Sequence, residues 1–67
     1  MFTVITEITD FDPRTGIEDL IFCVENRLDP DGFKRGVHSM NFVDYEEAYA
    51  YAVELHEKYK TEDILNN

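Results

Sequence analysis

The most regular pattern of apolar and polar residues lies between Asp44 and Lys60. Apolar side chains recur there at the period of an α-helix and fall on one stripe, made of Tyr45, Ala48, Ala52, Leu55 and Tyr59. Asp44 precedes the stripe, where a carboxylate can accept hydrogen bonds from the free N–H groups of a first helical turn. We therefore predict one helix over about residues 45–60.

Before the helix, apolar residues alternate with the period of two that is typical of β-strands, at residues 2–11, 17–28 and 33–43. Two turn sequences separate these stretches, Asp12-Pro13-Arg14-Thr15-Gly16 and Asp29-Pro30-Asp31-Gly32. The sequence predicts an α+β fold in a single domain over residues 1–67: a three-stranded antiparallel β-meander with one C-terminal α-helix packed on one face (βββα). We expect the tail, residues 61–67, to be frayed, with a short fourth strand through Ile64 and Leu65 as the alternative.

The apolar pattern also predicts which residues share a face of the sheet. If Phe11 lies opposite Ile17, the face beneath the helix collects Val4, Ile8, Leu20, Phe22 and Val24. The opposite face then carries Ile5, Ile21, Cys23 and Val37. One helix covers one face, so we expect this second face to be exposed.

A three-residue loop at 30–32 is the prediction for the second hairpin, because it pairs Phe22 with Met40 and Leu20 with Phe42. The next shorter loop would place Ser39 and Asn41 on the apolar face instead.

The length and the single cysteine limit what stabilises the protein. A core of this size rarely supplies more than about 3–5 kcal/mol, and Cys23 has no partner for a disulfide. A lone cysteine is typical of a reducing compartment, and the N-terminus lacks the basic start and apolar stretch of a signal peptide. No run of about 18 apolar residues is present to span a membrane. We expect a cytoplasmic protein.

The charge balance excludes several classes of partner. Fifteen Asp and Glu against six Lys and Arg give a formal charge of −9. Direct binding to nucleic acid or to an anionic membrane requires a positive surface, so we expect neither. A protein partner with a basic surface fits this charge, and the alternative is that the acidity only keeps the domain in solution.

Residues that could carry chemistry are sparse. Asp29, Asp31 and Gly32 match part of a calcium loop, but the third aspartate and the bidentate glutamate are missing. His38 and His56 are the only histidines and are not spaced to share a metal. Cys23 has no adjacent base. We therefore expect no catalytic residue, no cofactor, no metal and no enzymatic activity. A small enzyme or a ligand-binding protein is a further alternative, which only the abundance of carboxylates favours.

The leading hypothesis is a small acidic, non-enzymatic protein-interaction module. By analogy of charge alone, its sharpest form is a phage-encoded inhibitor or DNA-mimic-like protein that blocks a basic site on a host protein. The predicted acidic contact residues are Asp10, Asp12, Glu18, Asp19, Glu46, Glu47, Glu54 and Glu57. Tyr49 and Tyr51 are the predicted aromatic anchors.

The alternative is a self-associating accessory domain. In this interpretation a homodimer buries the uncovered face of the sheet through Ile5, Ile21 and Val37.

Overall fold

A computed structural model describes residues 1–29 and 36–66 of the chain. The elements are β1 (Phe2–Asp12), β2 (Ile17–Arg27), β3 (Val37–Phe42), α1 (Tyr45–Tyr59) and β4 (Ile64–Asn66). They form an α+β fold whose four-stranded sheet has the order β3-β2-β1-β4. The predicted helix and first two strands are present, and the third is present as Val37–Phe42, since residues 33–35 of the predicted strand lie outside the described residues. The tail forms a fourth strand, parallel to β1. The sheet is therefore mixed rather than a three-stranded antiparallel meander.

The turn between β1 and β2 uses the residues that the sequence indicated. The Asp12 carboxylate accepts a hydrogen bond from the Arg14 N–H at 2.9 Å, and Gly16 has a left-handed φ of 72°. However, the Gly16 N–H donates to the Asp12 carbonyl at 2.8 Å, and Asp12 rather than Phe11 pairs with Ile17. The register of the hairpin is shifted by one residue from the predicted register.

This one-residue shift exchanges the two faces of β1, because strand side chains alternate. Ile5 pairs with Val24 and is buried beneath α1, although the prediction placed it on the opposite face. Val4 and Ile8, which were predicted beneath the helix, lie on the opposite face. We call the face beneath α1 the covered face and the other the outer face; Ile21 is on the outer face, as predicted.

The pairing of β2 with β3 differs from the prediction by two residues. Phe22 pairs with Phe42 and Val24 with Met40, and an irregularity follows between Val24 and Asn26. A shift of two preserves the faces, so Met40 and Phe42 keep their predicted side of the sheet. The predicted three-residue loop at 30–32 lies outside the described residues.

The helix is confirmed with its predicted cap and apolar stripe. The Asp44 carboxylate accepts a hydrogen bond from the Glu46 N–H at 3.0 Å. Ala48, Ala52 and Leu55 are buried against the covered face. The small alanine side chains allow α1 to approach the sheet closely.

A buried chain of polar side chains connects the sheet to the end of α1. Thr3 Oγ1 donates to Asn26 Oδ1 at 2.8 Å and lies 2.9 Å from Thr61 Oγ1. Thr61 Oγ1 in turn lies 2.7 Å from His56 Nδ1. A hydroxyl carries only one hydrogen. With Thr3 as the donor to Asn26 Oδ1, a consistent network has Thr61 donating to Thr3 and His56 Nδ1 donating to Thr61. The chain thus links β1 and β2 to the last turn of α1 through side chains alone.

Candidate interaction surface

The far half of the β1–β2 hairpin extends beyond the rest of the fold. An 11-residue strand spans about 37 Å, whereas the 15-residue α1 spans about 22 Å, so the helix cannot cover the full length of the strands. β3 pairs with β2 only as far as Phe22, and β4 pairs with β1 only as far as Ile5. Residues 7–20 form the part that we call the distal hairpin; the remaining described residues form the body.

Every residue of the distal hairpin is exposed. The exposed set includes large apolar side chains at Ile8, Phe11, Ile17 and Leu20. Phe11 and Ile17 expose 54% and 56% of their surface, although both belong to regular strands. A two-stranded ribbon is only marginally stable in water on its own, so this half of the hairpin depends on the body for its order.

The distal hairpin also concentrates negative charge. It carries five acidic side chains against Arg14, a formal charge of −4. Asp10 lies directly opposite Asp19 in the ladder, a pairing of like charges that destabilises a sheet. Within the described residues, neither carboxylate has a salt-bridge partner.

Each face of the distal hairpin combines apolar and acidic residues. The side that continues the covered face carries Glu7, Thr9, Phe11, Glu18 and Leu20. The side that continues the outer face carries Ile8, Asp10, Asp12, Ile17 and Asp19. Neither side is purely polar, as a solvated ribbon would be.

The eight predicted acidic contact residues fall into two groups. Asp10, Asp12, Glu18 and Asp19 lie together on the distal hairpin, whereas Glu46, Glu47, Glu54 and Glu57 are exposed on α1. Glu46 and Glu47 occupy the first turn of α1, near the distal hairpin, because the neighbouring Tyr45 packs on Phe22 at 5.3 Å between ring centres.

Of the two predicted aromatic anchors, only Tyr49 is exposed. Tyr51 is half-buried: its ring lies 5.4 Å from that of Phe42, and its hydroxyl donates to the His38 carbonyl at 3.3 Å. Tyr51 therefore belongs to the margin of the core.

The outer face is not bare along its whole length. Val4 and Glu25 are 0% and 4% exposed on this face, and Glu25 forms an ion pair with Arg27. Gly36 lies so close that a Cβ there would be 2.6 Å from Glu25 Oε2. The expectation that nothing in the chain covers this face is wrong for the body.

The other predicted members of the outer face are partly accessible. Ile21 is half-buried on this face. Val37 is exposed, but it pairs with Asn26, which belongs to the covered face, so the prediction of Val37 on the outer face is wrong. Cys23 is half-buried on this face, with its Sγ 3.4 Å from Ser39 Oγ.

A groove of about 250 Å³ lies where the body meets the distal hairpin. Ile5, Glu7, Phe22, Tyr45 and Asn66 line it. The Tyr45 hydroxyl donates to Asn66 Oδ1 at 2.9 Å, which ties the end of β4 to the start of α1. The groove could not be predicted from the sequence, because the predicted tail was frayed and the predicted register placed Ile5 on the opposite face.

Within residues 1–29 and 36–66, no group of three or more His, Cys, Asp or Glu is arranged to hold a metal ion. In the same residues, no helix has the length and apolar character needed to cross a membrane. No protein-family model, curated protein or solved structure matches the chain.

Proposed function

We propose that the protein is a small acidic, non-enzymatic interaction module of the cytoplasm that binds a basic surface on another protein through its distal hairpin. The observation that supports this most is the exposure of Phe11, Ile17 and Leu20 on a strand pair that neither α1 nor any other described strand covers. The lone Cys23 is compatible with the reducing cytoplasm.

The hairpin suits a partner that supplies both apolar and cationic contacts. Burial of its exposed apolar side chains would provide affinity, at about 25 cal/mol per Å² of surface removed from water. The carboxylates would accelerate encounter with a basic partner and orient it. The same carboxylates destabilise the free hairpin where Asp10 faces Asp19, and a cationic partner would relieve that repulsion.

The sharpest form of the proposal is an inhibitor, phage-encoded or otherwise, that occupies a basic site in the manner of a DNA mimic. The first-turn carboxylates Glu46 and Glu47 would extend the acidic surface from the hairpin onto α1, while Glu54 and Glu57 would add contacts along the helix.

Affinity capture from lysate at low ionic strength, followed by binding measurements with the purified partner, tests the proposal. A hairpin variant carries Asp10→Asn, Asp12→Asn, Glu18→Gln and Asp19→Asn. A comparison variant has the same change in charge on α1, through Glu46→Gln, Glu47→Gln, Glu54→Gln and Glu57→Gln, and because these carboxylates only extend the proposed surface, we expect it to weaken binding less than the hairpin variant. We expect the hairpin variant to bind at least about tenfold more weakly, and binding of the wild type to fall between about 0.05 and 0.5 M salt. Binding that is insensitive to salt and to the hairpin variant would contradict the proposal.

A homodimer through the outer face is the alternative, favoured by the exposed Ile8 and Ile17 beside Ile21. Asp10, Asp12 and Asp19 share that face and would be brought close to their own copies. Light scattering over a range of concentrations decides: a monomer throughout excludes the dimer, and a dimer that Ile21→Glu dissociates supports it.

A further inference from the structure

We infer that the outer edge of β1 in the distal hairpin, at Glu7, Thr9 and Phe11, accepts an extended basic segment of the partner as an additional strand, with an arginine or lysine side chain in the groove beside Glu7. This inference rests on the proposed function and specifies how the partner is bound.

The backbone of β1 presents a row of unpaired groups along this edge. The Thr3 N–H donates to the Asp63 carbonyl at 3.0 Å, so Thr3 directs its backbone groups toward β4. Strand residues alternate in this direction, and Glu7, Thr9 and Phe11 therefore point their N–H and C=O groups to the same side. β4 ends opposite Ile5, and no other described strand continues beside β1. An added strand would complete the ladder.

The groove adjoins this edge and matches a long cationic side chain. In an added strand, the residue opposite Glu7 shares the covered face with Glu7 and therefore points into the groove. Its aliphatic stem would lie against Ile5 and Phe22, and its charged end would reach the Glu7 carboxylate beside the Tyr45 ring. Glu7 has no hydrogen bond or ion pair with any described residue, so its carboxylate is available.

The charge of the edge selects among possible strands. Glu7, Asp10 and Asp12 all belong to the open part of β1. A second copy of the chain would add the same carboxylates to this edge, and like charges across a strand pair are destabilising. An extended segment rich in arginine has the opposite charge, and alternation places its arginines on one face, where one of them can lie opposite Glu7.

A synthetic peptide tests the inference and can be used before the partner is identified. The probe is a nine-residue peptide in which arginine alternates with threonine and valine. One control replaces each arginine by glutamate; a second keeps every side chain but is N-methylated at each backbone nitrogen, so it cannot donate to a strand. In NMR titrations of the full chain, we expect the arginine peptide to shift and protect the amides of Glu7, Thr9 and Phe11. The N-methylated peptide should bind at least about tenfold more weakly.

Two proline variants show which edge is used. The Thr9 N–H points to the outer edge of β1, so Thr9→Pro removes one edge donor without breaking a bond to β2. Leu20→Pro is the matched control, because the Leu20 N–H points outward from the opposite edge of the same hairpin. We expect Thr9→Pro to weaken binding of the arginine peptide by a larger factor than Leu20→Pro, which removes an exposed apolar side chain of the distal hairpin but no donor from the β1 edge.

Equal binding of the N-methylated peptide would overturn the inference, since charge alone would then account for binding. The inference would also be overturned if the peptide perturbed the amide of Leu20 instead of that of Thr9, or if the glutamate peptide bound. Absence of any peptide binding, or self-association of the protein along the β1 edge, would overturn it as well. If Thr9→Pro unfolds the chain, the comparison of the two arginine peptides still decides the question. A captured partner that binds in the salt-sensitive manner described above while the peptide fails would contradict strand addition alone and leave the proposed function standing.

Discussion

The two halves of the β1–β2 hairpin are made of the same two strands but lie in different surroundings. In the body, Ile5 and Val24 are buried between the sheet and α1. In the distal hairpin, Phe11 and Leu20 continue the same face and remain exposed. The boundary falls where α1 begins and where β3 and β4 end, because these elements are too short to follow β1 and β2 along their full length.

This difference separates the residues that stabilise the fold from those that remain exposed and that we propose bind a partner. The body contains the apolar core and the buried polar chain, whereas the distal hairpin combines exposed apolar residues with the opposed Asp10 and Asp19. Local features that work against stability are expected mainly where function requires them. The distal hairpin is the part of the described chain that fits this description.

The largest expected contrast comes from one substitution made in both halves. Leu55 is 4% exposed beneath the sheet and Leu20 is 43% exposed on the distal hairpin. We expect Leu55→Ala to lower the free energy of unfolding by about 2–5 kcal/mol, which is comparable to the whole stability of so small a domain. Leu20→Ala should cost less than about 1 kcal/mol. Urea denaturation followed by circular dichroism measures both, and similar losses would contradict the division into body and distal hairpin.

A second contrast concerns threonine hydroxyls. Thr61→Val removes the acceptor of His56 and the donor to Thr3 inside the body, and we expect a loss of about 1–3 kcal/mol. Thr15→Val is the control in the exposed turn, where the Thr15 hydroxyl accepts from the Ile17 N–H at 3.3 Å, and its effect should stay within about 0.5 kcal/mol. Thermal unfolding measures the difference. A Thr61→Val protein as stable as the wild type would show that the polar chain contributes nothing.

The smallest expected effect is a gain in stability within the distal hairpin. Asp10→Asn removes the repulsion from Asp19 and should stabilise the hairpin by about 0.2–1 kcal/mol at low ionic strength. A double-mutant cycle with Asp19→Asn isolates the coupling between the two side chains. Because salt screens exposed charges, the gain should shrink as ionic strength rises. A coupling of zero at low salt would mean that the two carboxylates do not interact.

The helix could be predicted from the sequence because several signals agree. Asp44 caps the start of the helix, and the apolar stripe through Ala48, Ala52 and Leu55 defines a single face of the helix to be buried. The first strand lacks such agreement: Val4 and Ile5 are adjacent and both apolar, so the pattern does not choose which one faces the helix. The choice depends on the geometry of the Asp12–Ile17 turn, where one residue decides the register.

The remaining differences have equally specific causes. A shift of two residues between β2 and β3 leaves Met40 and Phe42 on the same face, so no alternating pattern can detect it. β4 offers only Ile64 and Leu65 as signals, and its pairing with β1 depends on backbone groups that sequence patterns do not report.

The acidic residues of the candidate surface could be identified directly from the sequence. The sequence could not show that these residues divide between the distal hairpin and α1, and it could not show the groove beside Glu7. Both features depend on where the other elements end.

Amide hydrogen exchange, measured on the free protein and on its complex with the captured partner, tests the central claim most directly. In the free protein, we expect the amides of Glu7, Thr9, Phe11 and Leu20 to exchange much faster than those of Ile5 and Val24. In the complex, we expect the distal hairpin to gain protection while the body changes little. Protection gained elsewhere, with the hairpin amides unchanged, would contradict it.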